Sequence, residues 1–123
     1  MSKGKKVVKL EDLKVYQLAM ELGEDVWKVI EKWDYFYKKT IGDQWIRSID
    51  SIAANISEGY GRYFYKENKN FCRYARGSLT ESKTWLQKAY NRKLVDEKTY
   101  QSQYEKLGEL HFMQNAYIKS IGK

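Results

Sequence analysis

Apolar side chains recur at intervals of three and four residues in four stretches of the chain, which cover residues 13–33, 43–59, 66–91 and 96 onward. Such spacing places side chains on one face of an α-helix, and none of these stretches alternates apolar and polar positions as a half-buried strand would. The apolar positions are Tyr16, Ala19, Met20, Gly23, Trp27 and Ile30; Trp45, Ile49, Ile52, Ala53 and Ile56; Phe71, Ala75, Ser78, Leu79, Ser82, Leu86 and Ala89; and Tyr100, Tyr104, Leu107, His111 and Ile118. Four amphipathic helices joined by short loops bury these faces most simply in an antiparallel bundle. The pattern therefore predicts an all-α, up-down-up-down four-helix bundle.

The composition limits what else the chain can contain. Its 123 residues, 42% of them hydrophobic, leave room for one domain with one core. The absence of proline suits long helices, and a single cysteine excludes an intramolecular disulfide framework. No apolar run is long enough to span a membrane, and no secretory signal follows Met1. We therefore expect a cytoplasmic protein with no membrane partner.

Charge divides the chain into unlike segments. Residues 1–10 hold four lysines and no acid, residues 11–58 hold ten acidic and six basic residues, and residues 59–93 hold nine basic and two acidic residues. Because residues 1–10 also lack helical periodicity, we expect them to form a flexible basic tail, and residues 11–123 to form the bundle domain. The positive excess over residues 59–93 indicates an anionic partner rather than a particular fold.

The basic residues of the predicted third helix lie opposite its apolar face at a step of about 100° per residue. Lys69, Arg73 and Arg76 have no acidic residue four positions away in either direction, and such like-charged neighbours are unfavourable unless an anion compensates them. We predict that a nucleic-acid backbone binds to Arg62, Lys66, Lys69, Arg73 and Arg76. The rings of residues 63–65 begin this face, and bases or guanidinium groups can stack on them.

The glycines Gly23, Gly77 and Gly108 fall inside predicted helices. Glycine destabilises the interior of a helix by about 1 kcal/mol relative to alanine, so there should be a structural reason for glycine at these positions. We expect that reason to be the close approach of neighbouring helices.

The second and third helices carry a motif of fixed residues. Its members are Gln44, Arg47, Ser51, Ile52, Asn55, Ile56, Glu58, Gly59, Gly61 and Arg62, followed by Phe71, Ala75, Gly77, Ser78, Leu79 and Glu81. This motif resembles that of the four-helix-bundle protein family, whose members are also called ribosomal RNA intervening-sequence proteins. Residues 13–20 resemble the first helix of that family, and the resemblance extends from Glu11 onward.

The resemblance implies an up-down-up-down bundle from a bacterial source. The family is also similar to the accessory variability protein of diversity-generating retroelements. Through that similarity, the resemblance implies a barrel-shaped homopentamer that binds nucleic acid and a reverse transcriptase.

Several polar motif residues fall at helical spacings that can bring them to one seam, namely Arg47, Ser51, Asn55, Glu58, Ser78 and Glu81. A buried carboxylate needs a partner, so Glu58 or Glu81 with an arginine (Arg47, Arg62 or Arg76) would form ion pairs that fix the register of the helices. The alternative is a pair of carboxylates for acid and base catalysis, but no nucleophile or phosphate-binding loop accompanies them. We predict a structural polar network and no catalytic residues.

His111 and Cys72 are the only histidine and the only cysteine, and they fall on different predicted helices without a Glu-x-x-His pattern. A metal site would therefore have to be assembled across subunits. We expect no metal and no other cofactor, with His111 at the edge of the core and Cys72 as a small buried hydrophobe.

Two classes of function remain open. The first is a non-enzymatic homo-oligomer, a pentamer by resemblance, that binds RNA or DNA through phosphates with little sequence preference. Trp33, Trp45 and Trp85 favour an oligomer, because they offer more apolar surface than a lone bundle can cover. The second is a homo-oligomeric scaffold or adaptor whose basic face meets an acidic protein partner. Salt-dependent binding to plain RNA or DNA separates the two.

Overall fold

The computed structural model describes residues 8–123, and it contains four long helices. We number them α1 (Lys14–Ile30), α2 (Asp43–Tyr60), α3 (Tyr65–Asn91) and α4 (Glu97–Ser120). A 3₁₀ turn (Leu10–Asp12) precedes α1, while a helical turn (Tyr35–Tyr37) and a π-helical segment (Lys38–Gly42) lead into α2. No strand occurs within residues 8–123. The predicted all-α four-helix bundle is confirmed.

Side-chain contacts show that neighbouring helices run antiparallel. The Ser78 hydroxyl of α3 donates to the Ser51 hydroxyl of α2 at 3.0 Å. One turn later on α3, the Ser82 hydroxyl donates at 3.0 Å to Ser48, which lies almost one turn earlier on α2. The pairs Arg76–Asn115 and Lys83–His111 reverse direction in the same way between α3 and α4. Lys14 at the start of α1 lines a groove with Ala116 near the end of α4, whereas Asp25, later on α1, contacts Lys106, earlier on α4.

Aspartates stand at the starts of both α2 and α4, but only the one at α4 is an N-cap. Asp96 is the N-cap of α4, and its carboxylate accepts a 2.7 Å hydrogen bond from the Thr99 amide. Asp43, also a residue type that favours N-caps, lies instead inside a continuous helical path. The preceding Gly42 already has helical dihedral angles, and the π-helical segment runs directly into Asp43.

The core is formed by one face of each helix. The apolar face predicted for α2 is buried throughout, and the predicted positions of α3 are buried or half-buried. The faces predicted for α1 and α4 are partly wrong, because Met20, Trp27 and Tyr104 are exposed by 44%, 57% and 56%. The residues that α1 buries are Val15, Ala19, Leu22, Gly23, Val26 and Ile30. Helix α1 thus has two apolar faces, of which one lies in the core and the other faces outward.

The three helical glycines have different surroundings. A Cβ at Gly23 would lie 2.7 Å from a carboxylate oxygen of Asp50, so α1 and α2 do approach closely there. A Cβ at Gly77 or Gly108 would have nothing within 4 Å. Helix packing within the protomer therefore does not explain the glycines at 77 and 108.

We expect Gly77→Ala and Gly108→Ala each to stabilise the protein by about 0.5–1 kcal/mol, because alanine restricts the unfolded chain and meets no neighbour in the fold. Thermal unfolding followed by circular dichroism measures the shift. Gly59→Ala is the control and should lower the melting temperature, because its Cβ would lie 2.9 Å from the backbone carbonyl oxygen of Asn68 and 2.9 Å from the Phe71 Cβ. A lower melting temperature for Gly77→Ala would show that a contact beyond the protomer uses this position.

The start of the described chain lies against the bundle. Leu10 packs on the core, and the Val8 carbonyl accepts a hydrogen bond from the Tyr60 hydroxyl at the end of α2. Residues 8–10, which the sequence assigned to the basic tail, thus contact the domain. The other tail residues, 1–7, lie outside the described residues.

Candidate functional site

Four of the five cations predicted to bind nucleic acid follow one another along α3. Lys66 and Arg73 are exposed, whereas Lys69 and Arg76 are half-buried. Lys66, Lys69, Arg73 and Arg76 are three or four residues apart, so they form a row along one side of the helix. We call these four residues the α3 row.

The α3 row carries charge that no nearby acid neutralises. Arg73 donates to the amide oxygen of Asn70 at 3.3 Å, and Arg76 donates to the amide oxygen of Asn115 at 2.8 Å. The ion pairs among residues 8–123 are Arg47–Asp43, Arg62–Glu58, Lys106–Glu21 and Lys106–Asp25, and none includes a member of the row. Because an amide oxygen carries no net charge, four uncompensated cations remain on this side of α3.

Arg62, the fifth predicted residue, has a different environment. It lies in the turn between α2 and α3, and its guanidinium is 2.6 Å from the Glu58 carboxylate. The same guanidinium lies 4.7 Å from the centre of the Phe71 ring. Arg62 is therefore partly neutralised and held at the end of α2, whereas the α3 row is free to bind an anion.

A basic seam between α3 and α4 extends the row. The Lys83 ammonium lies 3.4 Å from Nδ1 of His111, and Arg76 reaches Asn115 one turn along α4. Burial lowers the pKa of His111, and the charges of Lys83 and Arg76 lower it further. His111 and Asn115 could not be assigned to this site from the sequence, because only the packing of α3 against α4 brings them there.

We expect His111 to titrate below its ordinary pKa of about 6.5, because burial disfavours the charged ring and because protonation adds a third charge beside Lys83 and Arg76. The unfolded chain then binds a proton at a higher pH than the folded chain does. Stability should accordingly be greatest above pH 6.5 and should fall as the pH drops from 6.5 through the pKa of folded His111. Since His111 is the only histidine, its ring protons give one unambiguous NMR titration. His111→Gln should remove this part of the pH dependence, and a pKa at or above 6.5 would contradict the assignment.

The predicted polar network is present only in part. Ser51 accepts from Asn55 at 2.9 Å and from Ser78 at 3.0 Å, so these three residues meet between α2 and α3. The buried hydrogen bond from Ser82 to Ser48 continues this contact. Hydroxyl pairs, rather than ion pairs, therefore join α2 to α3.

The charged members of the predicted network lie elsewhere. Arg47 pairs with Asp43 at 2.9 Å, and Glu81 accepts a 3.2 Å hydrogen bond from the Trp85 indole. Each contact stays within one helix on the exposed surface, and Glu58 contacts only Arg62 just beyond its own helix. Glu58–Arg62 is one of the predicted pairs, but no ion pair among the described residues joins α2 to α3, so the prediction that ion pairs fix the register of these helices is wrong. An exposed local pair avoids the desolvation cost that a pair buried between helices would carry.

The single cysteine and the carboxylates do not form a metal site in the described part of the chain. Cys72 is buried, and burial raises its thiol pKa to about 11. Within residues 8–123, no group of three or more His, Cys, Asp or Glu side chains could hold a metal ion. None of the helices there is both long and apolar enough to cross a membrane.

The tryptophans expected at the surface are mostly covered. Trp45 is fully buried, and Trp33 packs 6.0 Å from it and donates to the Leu94 carbonyl. Trp85 is half-buried beside Glu81. The exposed tryptophan is Trp27, so the exposed apolar surface is not the one predicted from Trp33, Trp45 and Trp85.

That surface lies along α1 and α2. Trp27 borders a groove lined by Ile30, Gly42 and Ile46, and Met20 borders a neighbouring groove lined by Tyr16, Gly23 and Ala54. We call this surface the α1–α2 groove.

Comparison with known proteins identifies a matching family and a similar fold. Residues 11–116 match the model of a family described as 23S rRNA-intervening sequence protein. The fold is similar to the crystal structure of a protein of unknown function from the S23 ribosomal protein family of Bacteroides thetaiotaomicron, with a TM-score of 0.77. The two are 20% identical, and the match covers 86% of this chain and 99% of that chain. At this identity the likeness shows the fold alone. No curated protein matches the chain.

Proposed function

The chain belongs to the 23S rRNA-intervening sequence protein family, and we propose that it is a non-enzymatic, homo-oligomeric protein that binds RNA or DNA through the α3 row. The observation that carries the proposal is the set of four cations without an acidic partner along one helix. A phosphate backbone presents a regular line of negative charge to such a row. Contacts of this kind give affinity and salt dependence but little sequence preference.

An ordinary solvated helix face explains the row less well. Such a face usually intersperses both signs of charge. The acids of α3 are Glu67 and Glu81. Glu67 lies about 100° around the helix from Lys66, and the Glu81 carboxylate accepts from Trp85. Neither acid neutralises the row, so an external anion is the natural partner.

Assembly of several chains would multiply the row into a larger basic surface. The exposed Trp27 and Met20 support an oligomer, since large apolar side chains on a surface mark interaction sites. The pentamer and the reverse-transcriptase partner stay predictions from the resemblance, and the cytoplasmic location stays a prediction from the sequence.

Fluorescence anisotropy with labelled RNA and DNA of unrelated sequences tests the proposal. If each member of the α3 row meets one phosphate, the logarithm of the affinity should fall with the logarithm of salt concentration at a slope of about −2.8 for a single strand and about −3.6 for a duplex. Ligands of different sequence should bind alike. Absence of binding at physiological salt would contradict the proposal and favour the scaffold that recognises an acidic protein.

A further inference from the structure

Three consecutive aromatic side chains are exposed where α2 turns into α3. Tyr63, Phe64 and Tyr65 are 88%, 61% and 66% exposed, respectively. The Tyr63 and Phe64 rings meet edge to face, with their centres 4.9 Å apart. We call these three residues the aromatic corner. None of them belongs to the hydrophobic core, so packing within the protomer does not explain why three large rings stand here.

Positive charge continues from the aromatic corner along α3. Lys66 follows the corner directly, whereas Arg62, which precedes it, is paired with Glu58. Because α3 begins at Tyr65, the remaining members of the α3 row follow at steps of three or four residues, or about 4.5–6 Å along the helix axis. The corner therefore lies at one end of the line of cations.

Residues from both ends of the described range, 8–123, lie close to the corner. A Cβ at Gly122 would lie 3.2 Å from the Tyr65 ring, so the end of α4 packs beside the corner. Val8 is held at Tyr60, five residues before Tyr65. Lys9 and Lys123 adjoin these contact points in the sequence. Three lysines, Lys9, Lys66 and Lys123, therefore adjoin the corner or its contact points in the sequence, and the charges of Arg62 and Glu58 offset each other.

We propose that the aromatic corner stacks unpaired bases, so that this protein prefers single-stranded RNA or DNA to a duplex; this inference rests on the proposed function. An exposed ring offers a flat face to any base, whereas bases inside a duplex are already stacked on one another. Phosphates of the same strand reach the α3 row while its bases lie on the rings. Stacking on an aromatic side chain strengthens binding about five- to 150-fold per base.

The test compares a 20-nucleotide unstructured RNA with a duplex of the same length, both binding to the full chain at fixed salt. Wild-type protein should bind the single strand at least about fivefold more tightly. Tyr63→Ala/Phe64→Ala should lose most of this preference, with duplex affinity and salt slope unchanged. Tyr63→Phe keeps the ring and should behave as wild type.

A matched control exists at the opposite end of the bundle, where Tyr35 and Phe36 form another exposed pair, at 74% and 66%. Tyr35→Ala/Phe36→Ala removes the same two ring types and should leave the preference for single strands intact. Circular dichroism establishes that both double variants are folded. The wild-type ratio of affinities tests the inference even if a variant fails to fold.

The outcomes separate the two proposals. Equal wild-type affinity for single strand and duplex would overturn this inference and leave the proposed function standing. A preference for single strands that survives in Tyr63→Ala/Phe64→Ala would also overturn it, because the corner would then not be its source. Absence of binding to both ligands would overturn the proposed function itself.

Discussion

Replacing Lys66 and Arg73 by glutamate is expected to weaken the binding of single-stranded RNA about tenfold or more at 0.15 M salt. Loss of two of four phosphate contacts removes half of the counterion release, and the new carboxylates repel the backbone. The salt slope should fall from about −2.8 to about −1.4, equally for ligands of any sequence. Anisotropy titrations at several salt concentrations measure both quantities.

These two residues suit the experiment because the fold does not depend on them. Both are exposed, and the Arg73 side chain donates a hydrogen bond to Asn70 on the same helix. Arg76 is less suitable, since it also joins α3 to Asn115 of α4. A folded Lys66→Glu/Arg73→Glu variant with unchanged affinity would exclude the α3 row as the site.

Lys28→Glu/Lys32→Glu provides the matched control. It changes the net charge by the same amount, at two exposed lysines near the end of α1 that take part in none of the described ion pairs. Binding should stay close to that of the wild type, because these lysines lie outside the α3 row. If both double variants lost affinity equally, net charge rather than the row would control binding.

The sequence predicted the fold best where a helix has a single apolar face. Helix α2 has one such face, and the predicted residues Trp45, Ile49 and Ile52 are fully buried. Helix α1 has two, since Leu22 and Val26 lie on one side while Met20 and Trp27 lie on another. Periodicity identifies both faces but does not tell which one meets the other helices. That choice depends on the packing of the whole bundle.

In the candidate site, features within one helix could be predicted from the sequence, whereas contacts between helices could not. The α3 row follows from charge and spacing along one helix, so the sequence alone could predict it. The seam could not be predicted, because Arg76 and Asn115 are 39 positions apart and meet only through the register of α3 against α4. The predicted ion pairs show the same limit. The Glu58–Arg62 pair forms, but its residues are four positions apart, so it does not fix the register of one helix against another.

Substituting the exposed apolar residues of α1 should have a large effect on the oligomeric state. Met20→Glu/Trp27→Glu is expected to convert a homo-oligomer into monomers at micromolar concentration. Truncating a buried interface tryptophan often costs at least about 2 kcal/mol, and burying two added carboxylates costs more. Because the wild-type pentamer would have five times the chain mass of 14.7 kDa, light scattering after size exclusion separates it clearly from the monomer.

The control uses exposed aromatic residues on a different helix. Tyr104 and Phe112 of α4 are 56% and 78% exposed, and Tyr104→Glu/Phe112→Glu should leave the mass of the assembly unchanged. Dissociation of this variant alone would place the interface on α4 rather than at the α1–α2 groove, and a monomeric wild type would contradict the oligomer itself.

If assembly multiplies the α3 row, the Met20→Glu/Trp27→Glu monomer should bind nucleic acid more weakly than the oligomer does. Its own row is intact, but each monomer binds the phosphate backbone alone. Equal affinity of monomer and oligomer would show that one row suffices.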